Sequence, residues 1–231
     1  MRRKDVRLHE LQARGAEILM DDSAVTGIRV DECGEPLVDL GLSQRLSFDD
    51  RLADKAGLYR YVRVGLAERL SRAAETLPHG LRILVVEGYR PKALQIKYFS
   101  EYESTLRLEY PDKTDDELHS LASRFVAPPF DLPPHCTGAA IDLTLVSETG
   151  EELDMGTKIN DSPEESGGRC YTASKDITEV ARSNREILCS ALAGAGLVNY
   201  PTEWWHWSYG DRYWALKTGA TALYGFVVGW P

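Results

Sequence analysis

The sequence has no run of about 18 apolar residues, no CxxC pair and no excess of positive charge. The first absence removes any membrane-spanning helix of ordinary length. The second removes zinc-finger spacing: Cys33, Cys136, Cys170 and Cys189 are widely separated, which also argues against a dense disulfide framework. The third bears on nucleic acid. A formal charge of −9, from 27 Lys and Arg against 36 Asp and Glu, does not supply the clustered cations that phosphate neutralisation requires. The N-terminus opens with MRRKD, but charges recur where a signal peptide would be apolar, so the expectation is a cytoplasmic protein. Also missing is HExxH, the helix-borne motif of many zinc hydrolases.

What is present is ordinary globular material: 43% hydrophobic and 27% charged residues over 231 positions. A chain of this length fits one domain able to bury roughly 70% of its unfolded surface. Residues 1–57 read as polar and irregular. Leu58, Val62, Leu66, Leu70, Ala73 and Leu77 recur at three- and four-residue steps and predict a helix, stopped by Pro78 and Gly80. Leu81–Val86 has strand length and ends at Glu87-Gly88-Tyr89-Arg90-Pro91. A helix follows from about Lys92 to Leu108. Thr114-Asp115-Asp116-Glu117 has the form of a capping box and predicts a further helix reaching about Phe125. After a Pro-rich loop, Ala139–Val146 alternates as a strand. Residues 147–175 are loop-like, Asp176–Ala193 is helical, and Trp204–Tyr209 is an aromatic strand. Strands and helices mixed in this irregular way predict α+β, a small mostly antiparallel sheet packed against helices around a central site.

Three segments carry the candidate chemistry. Asp142 lies in an aliphatic strand, facing opposite Ile141 and Leu143, and burying it unpaired would cost several kcal/mol. Upstream, His135 stands at the mouth of a turn, and Gly138 allows the chain to bend so that the two converge. Glu203 precedes His206 by three residues, a spacing that puts both on one side only if Glu203 lies at a bend, which Pro201 can induce. Two imidazoles and one carboxylate suit a catalytic Zn²⁺ with its fourth position open, and a further carboxylate can relay a proton. Arg90, at a strand-end turn, is placed to project into a cleft and stabilise an oxyanion.

Glu87-Gly88-Tyr89-Arg90-Pro91, His135-x-x-Gly-x-Ala-Ile-Asp142, and Glu203-Trp-Trp-His206, in this order, resemble the D-Ala-D-Ala dipeptidases associated with vancomycin resistance (peptidase family M15). The likeness extends over residues 58–215 and includes Leu153–Thr157 and Asn184-Arg185. It implies a compact α+β enzyme with one zinc per chain, held by His135, Asp142 and His206. Glu203 would be the catalytic base and then acid, Arg90 the transition-state stabiliser, and a D,D-dipeptide the substrate. Thr137, Trp205 and Asn160 are candidate substrate-binding residues. No membrane or nucleic-acid partner is expected, and homo-oligomerisation is left open.

The chain departs from the family pattern in three places. Pro133 stands where a serine is usual, two residues before the first ligand histidine. Asn160 stands where the family places an aspartate to meet the substrate's ammonium, and an amide makes a weaker bond there than a carboxylate. Residues 1–57 show no clear counterpart of the tyrosine-containing N-terminal segment. These departures leave two rival readings: an enzyme for N-blocked peptides or a specialised metabolite, and a zinc-containing peptide binder without catalysis.

Overall fold

The computed structural model describes residues 18–43, 45–123 and 125–229. In chain order its elements are α1 (Ser23–Thr26), β1 (Leu37–Asp39), β2 (Leu46–Phe48), β3 (Tyr61–Arg63), α2 (Val64–Thr76), β4 (Leu81–Glu87), α3 (Lys92–Glu109), α4 (Asp115–Ala122), β5 (Ala140–Ser147), α5 (Pro163–Ser166), α6 (Glu179–Gly194), β6 (Val198–Asn199), β7 (His206–Ser208) and α7 (Arg212–Thr218). The fold is α+β. Five strands form the main sheet in the order β2-β4-β5-β7-β6, and β1 and β3 form a separate antiparallel pair. Only β2–β4 is parallel; the other neighbours in the main sheet are antiparallel.

Alternation along β4 and β5 decides where the core and the site go. Ile83, Val85, Ile141, Leu143 and Leu145 are fully buried and pack with Leu66, Leu70 and Ala73 of α2 and Leu188 and Leu192 of α6. Residues of opposite parity point to the other face of the sheet. There α3 and α4 form a hairpin with its own small core of Phe99, Leu106, Leu118 and Ala122. Thr114 and Glu117 close the expected capping box at the start of α4, each side chain bonding the other's backbone N–H. The helix ends at Ala122, short of the Phe125 expected from sequence, and the Phe125 N–H bonds back to the Ala122 carbonyl.

Three other expectations need correction. The helix read from Leu58 begins only at Val64: Leu58–Arg60 is a single 3-10 turn and Tyr61–Arg63 a strand. Leu58 and Val62 are buried as the helical spacing suggested, but through turn and strand. The N-terminal stretch is not uniformly irregular, since it supplies β1 and the edge strand β2, although residues 1–17 of it lie outside those described. The aromatic strand is shorter than read, because Trp204 and Trp205 belong to the turn that precedes β7. Among the described residues, no helix is long and apolar enough to cross a membrane.

Candidate active site

The site is assembled by strand register. Asp142 on β5 pairs directly with His206 on β7, and on its other side with Glu87 of β4. The β4–β5 register slips between Val85 and Glu87, a bulge of the kind that re-aims a side chain. Asp142, His206 and Glu87 are all buried.

His135 arrives from a 3-10 turn, Pro134–Thr137, which is tied to the end of β4 twice. Its Nδ1–H donates to the Gly88 carbonyl at 2.7 Å, and its own carbonyl accepts from the Arg90 N–H at 3.2 Å. Gly88 is required by contact: a Cβ there would lie 2.7 Å from the Tyr61 carbonyl oxygen and 2.8 Å from that of Tyr59. Gly138 closes the turn at φ +71°, in the left-handed region, so the bend between His135 and Asp142 is where the sequence placed it.

The three candidate ligand atoms form a small triangle. Asp142 Oδ1 is 3.0 Å from His206 Nδ1 and 3.4 Å from His135 Nε2, and the two imidazole nitrogens are 3.2 Å apart. A tetrahedral zinc with ligand bonds of about 2.0–2.1 Å requires edges of about 3.3–3.4 Å. The donor set fits chemically as well: with Nδ1 protonated toward Gly88, His135 turns a lone pair on Nε2 toward the other two atoms. Burial alone would raise the Asp142 carboxyl, but His135 and His206 hold it well below the usual carboxylate range. Burial opposes the charged form of His135, and Asp142 outweighs it, so that imidazole is shifted up. These side chains could hold one metal ion.

Glu203 lies just outside the triangle, its Oε2 3.9 Å from His206 Nδ1. Pro201 and Thr202 make the turn that brings it there, with the Glu203 N–H bonded to the Tyr200 carbonyl. Burial pushes its carboxyl up to about 7; His206 opposes this and Asp142 adds to it, while Arg90 and the Trp205 indole N–H favour the ionised form more weakly.

Arg90 lines the same cavity, but its guanidinium is already engaged, by Glu87 through Nε and Nη2 and by Gln95 Oε1 at 2.8 Å from Nη1. Burial works against its charge, and the Glu87 carboxylate more than compensates, leaving it shifted up. The cavity, about 420 Å³, is lined by the His135, Asp142 and His206 triangle, by Glu203 and Arg90, and by the aromatic side chains Tyr98, Tyr102 and Phe125. That volume falls within the roughly 300–1,000 Å³ typical of small-molecule sites.

Of the three candidate substrate contacts, one reaches the cavity. Asn160 is exposed at its edge, with φ +66°. Thr137 does not line it: its hydroxyl donates to the Pro134 carbonyl at 2.7 Å and accepts from the Ala139 N–H, closing its own turn. Trp205 is fully buried in the main core against Trp204, with its indole N–H near Glu203 but without a well-formed hydrogen bond. Gln95, Tyr98 and Tyr200 line the cavity without having been singled out from sequence, and Glu87, quoted there only as part of a motif, lines it too. The Gln95–Tyr98 spacing on α3 was the available signal.

A family model described as D-ala-D-ala dipeptidase, peptidase family M15, matches residues 61–220. The chain belongs to this family. The chain is similar to the D-alanyl-D-alanine dipeptidase of Synechocystis, 32% identical over 217 residues, covering 82% of this chain and 88% of that protein. The D-alanyl-D-alanine dipeptidase of Escherichia coli is 27% identical over 176 residues, covering 73% and 78%. A solved structure of the LdcB LD-carboxypeptidase is similar at a TM-score of 0.46 and 18% identity, covering 83% of this chain and 76% of that one. Membership makes this chain a metallopeptidase of the D-Ala-D-Ala dipeptidase family.

Proposed function

We propose that the protein hydrolyses the peptide bond of D-Ala-D-Ala, or of a closely related short peptide, using water and one zinc ion held by His135, Asp142 and His206. The observation that carries this reading is the triangle of ligand atoms, 3.0–3.4 Å on each edge, with a carboxyl pushed up to about 7 beside it. Zinc bound there supplies a Lewis acid that polarises the scissile carbonyl and brings the pKa of water to about 7.

The chain's own residues supply the rest. Glu203, within 3.9 Å of His206 Nδ1, takes the proton of the attacking water on its carboxylate and then delivers it to the leaving amine. Burial lifts that carboxyl above the ordinary carboxylate range, which strengthens it as a base for the water's proton, while a bound cation would pull it back toward the ionised form that accepts one. Arg90, fixed by Glu87 and Gln95, turns a permanent charge toward the cavity, where it stabilises the oxyanion that develops on the scissile carbonyl. Burial of all these groups keeps their interactions strong.

A second reading is favoured by Asn160, an uncharged amide on the cavity edge where the family pattern has a carboxylate for the substrate's ammonium. It makes the substrate an N-blocked peptide or a specialised metabolite. Zinc-loaded protein assayed with free D-Ala-D-Ala, its N-acetyl form and other free and capped dipeptides decides between them. Cleavage abolished by chelation and restored by zinc supports both readings, and preference for the free dipeptide selects the first. Tight binding of peptides with no cleavage of any would leave only a peptide-binding role.

A further inference from the structure

The two ligand imidazoles are oriented differently. His135 has its outer nitrogen bonded to the Gly88 carbonyl at 2.7 Å. His206 turns Nδ1 toward Asp142 and His135, and its outer nitrogen, Nε2, is buried without a hydrogen-bond partner among the described residues. Five residues on, Asp211 is 2% exposed. One of its oxygens, Oδ1, accepts the Trp214 N–H at 2.6 Å, and the other, Oδ2, is also buried without a partner among the described residues. Gly210, at φ +80°, turns the chain between β7 and α7; burial shifts the Asp211 carboxyl up, and the Trp214 N–H, the His206 imidazole, the Ser208 hydroxyl and the His135 imidazole act against that shift.

We propose that Asp211 is the outer carboxylate of the metal centre, its Oδ2 receiving the His206 Nε2–H directly or across one bridging water. A histidine that ligates a metal almost always donates its other N–H to a carboxylate, a carbonyl or water, which fixes the tautomer and makes the ligating nitrogen more basic. Here that donor and that acceptor are both buried, and the Ser208 hydroxyl, which approaches the Asp211 carboxyl without closing a well-formed bond to Oδ2, is the one other side-chain donor acting on it among the described residues. The pairing would hold His206 in the tautomer whose Nδ1 lone pair meets the ion. Asp211 is thus a positioning residue, acting through His206, and the proposal rests on the zinc reading above.

The competing account is that Asp211 only caps α7, through the bond from the Trp214 N–H. Asparagine separates the two, because it caps helices as well as aspartate does. Its single carbonyl oxygen can serve the Trp214 N–H or the His206 Nε2–H, but not both. The experiment compares wild type, Asp211→Asn and Asp211→Ser, each stripped of metal. Zinc affinity is measured by competition with a chromophoric chelator, and thermal unfolding is followed on the metal-free proteins. Wild type must bind zinc; if it does not, the ligand assignment itself has failed and Asp211 falls with it. The expected result is zinc binding weakened 10–100-fold in Asp211→Asn with an unchanged metal-free unfolding midpoint. Asp211→Ser, which also caps, gives the same answer should the asparagine variant not fold. Wild-type zinc affinity in a folded variant overturns the proposal, as does a loss of affinity that only tracks a loss of metal-free stability.

Discussion

Glu87 and Arg90, three residues apart at the end of β4, bind each other through both carboxylate oxygens, Arg90 Nε donating to Glu87 Oε1 at 2.7 Å and Nη2 to Oε2. Their side chains are 2% and 12% exposed, so this is a buried pair. Removing one partner of such a pair leaves an uncompensated charge at a cost of about 3–5 kcal/mol. Glu87→Gln should therefore lower stability by about 3 kcal/mol, or roughly 6–12 °C in melting temperature. Glu87→Gln combined with Arg90→Met should recover much of the loss while remaining inactive. Denaturant and thermal unfolding of the single and double variants measure both effects.

Among the described residues that line the cavity, Arg90 is the only arginine or lysine, which is why the proposed oxyanion role falls to it. Replacing it with lysine keeps a charge but cannot satisfy Glu87, Gln95 and the substrate from one ammonium. Loss of an oxyanion donor typically raises the barrier by about 2.7–4 kcal/mol, so Arg90→Lys should lower kcat about 10²–10³-fold with a smaller change in KM. Steady-state kinetics on folded protein check the split.

The pH dependence follows from Glu203. A base works when deprotonated, so kcat/KM should rise with pH through the Glu203 titration. That carboxyl stands at about 7 without metal, and a bound cation nearby lowers it, so the acidic limb should lie below pH 7. Glu203→Gln should bind zinc, lose most of the activity, and show no such limb.

The same residue gives a stability prediction of opposite sense. Its carboxyl is higher folded, at about 7, than its ordinary value of 4.5, so the folded metal-free protein favours the protonated form. The corresponding stability is complete below pH 4.5 and is lost as pH rises through 7, by about 3 kcal/mol. Metal-free Glu203→Gln should match wild type near pH 4.5 and melt roughly 6–12 °C higher at pH 8. Thermal melts across that range would show the two curves diverging.

Which parts of this site could be read from the residues has a physical explanation. His135 and Asp142 were legible because a glycine-closed turn followed by a strand fixes their separation, and Gly138 does adopt the positive φ the bend needs. Glu203 and His206 were legible because same-side placement demanded a turn, and Pro201–Thr202 supplies it. Trp205 was misplaced because adjacency to a ligand says nothing about facing: the side chain next to His206 turns away from the cavity into the core. Thr137 was misplaced because a hydroxyl at a turn satisfies nearby backbone first. The strands β1, β2 and β3 were invisible because three residues are too few for a period-two pattern, and Leu58 and Val62 imitate a helical step across a turn and a strand. Glu87 was quoted only as the start of the Glu87–Pro91 motif and given no role, since its pairing with Arg90 depends on the turn between them.

Asn160 makes the substrate prediction concrete. Asn160→Asp should improve turnover of free D,D-dipeptides, mainly through KM, if the substrate's ammonium meets this edge of the cavity. It should leave an N-acetylated dipeptide unimproved. Parallel kinetics on the two substrates test the position directly.

The central claim is that two imidazoles and one carboxylate grip a single zinc ion. Crystals of the protein grown with zinc and measured at the zinc absorption edge locate that ion without recourse to activity. The account predicts one strong anomalous peak about 2.0–2.2 Å from His135 Nε2, His206 Nδ1 and Asp142 Oδ1. Zinc bound elsewhere, or no peak among these three side chains under saturating metal, would contradict it.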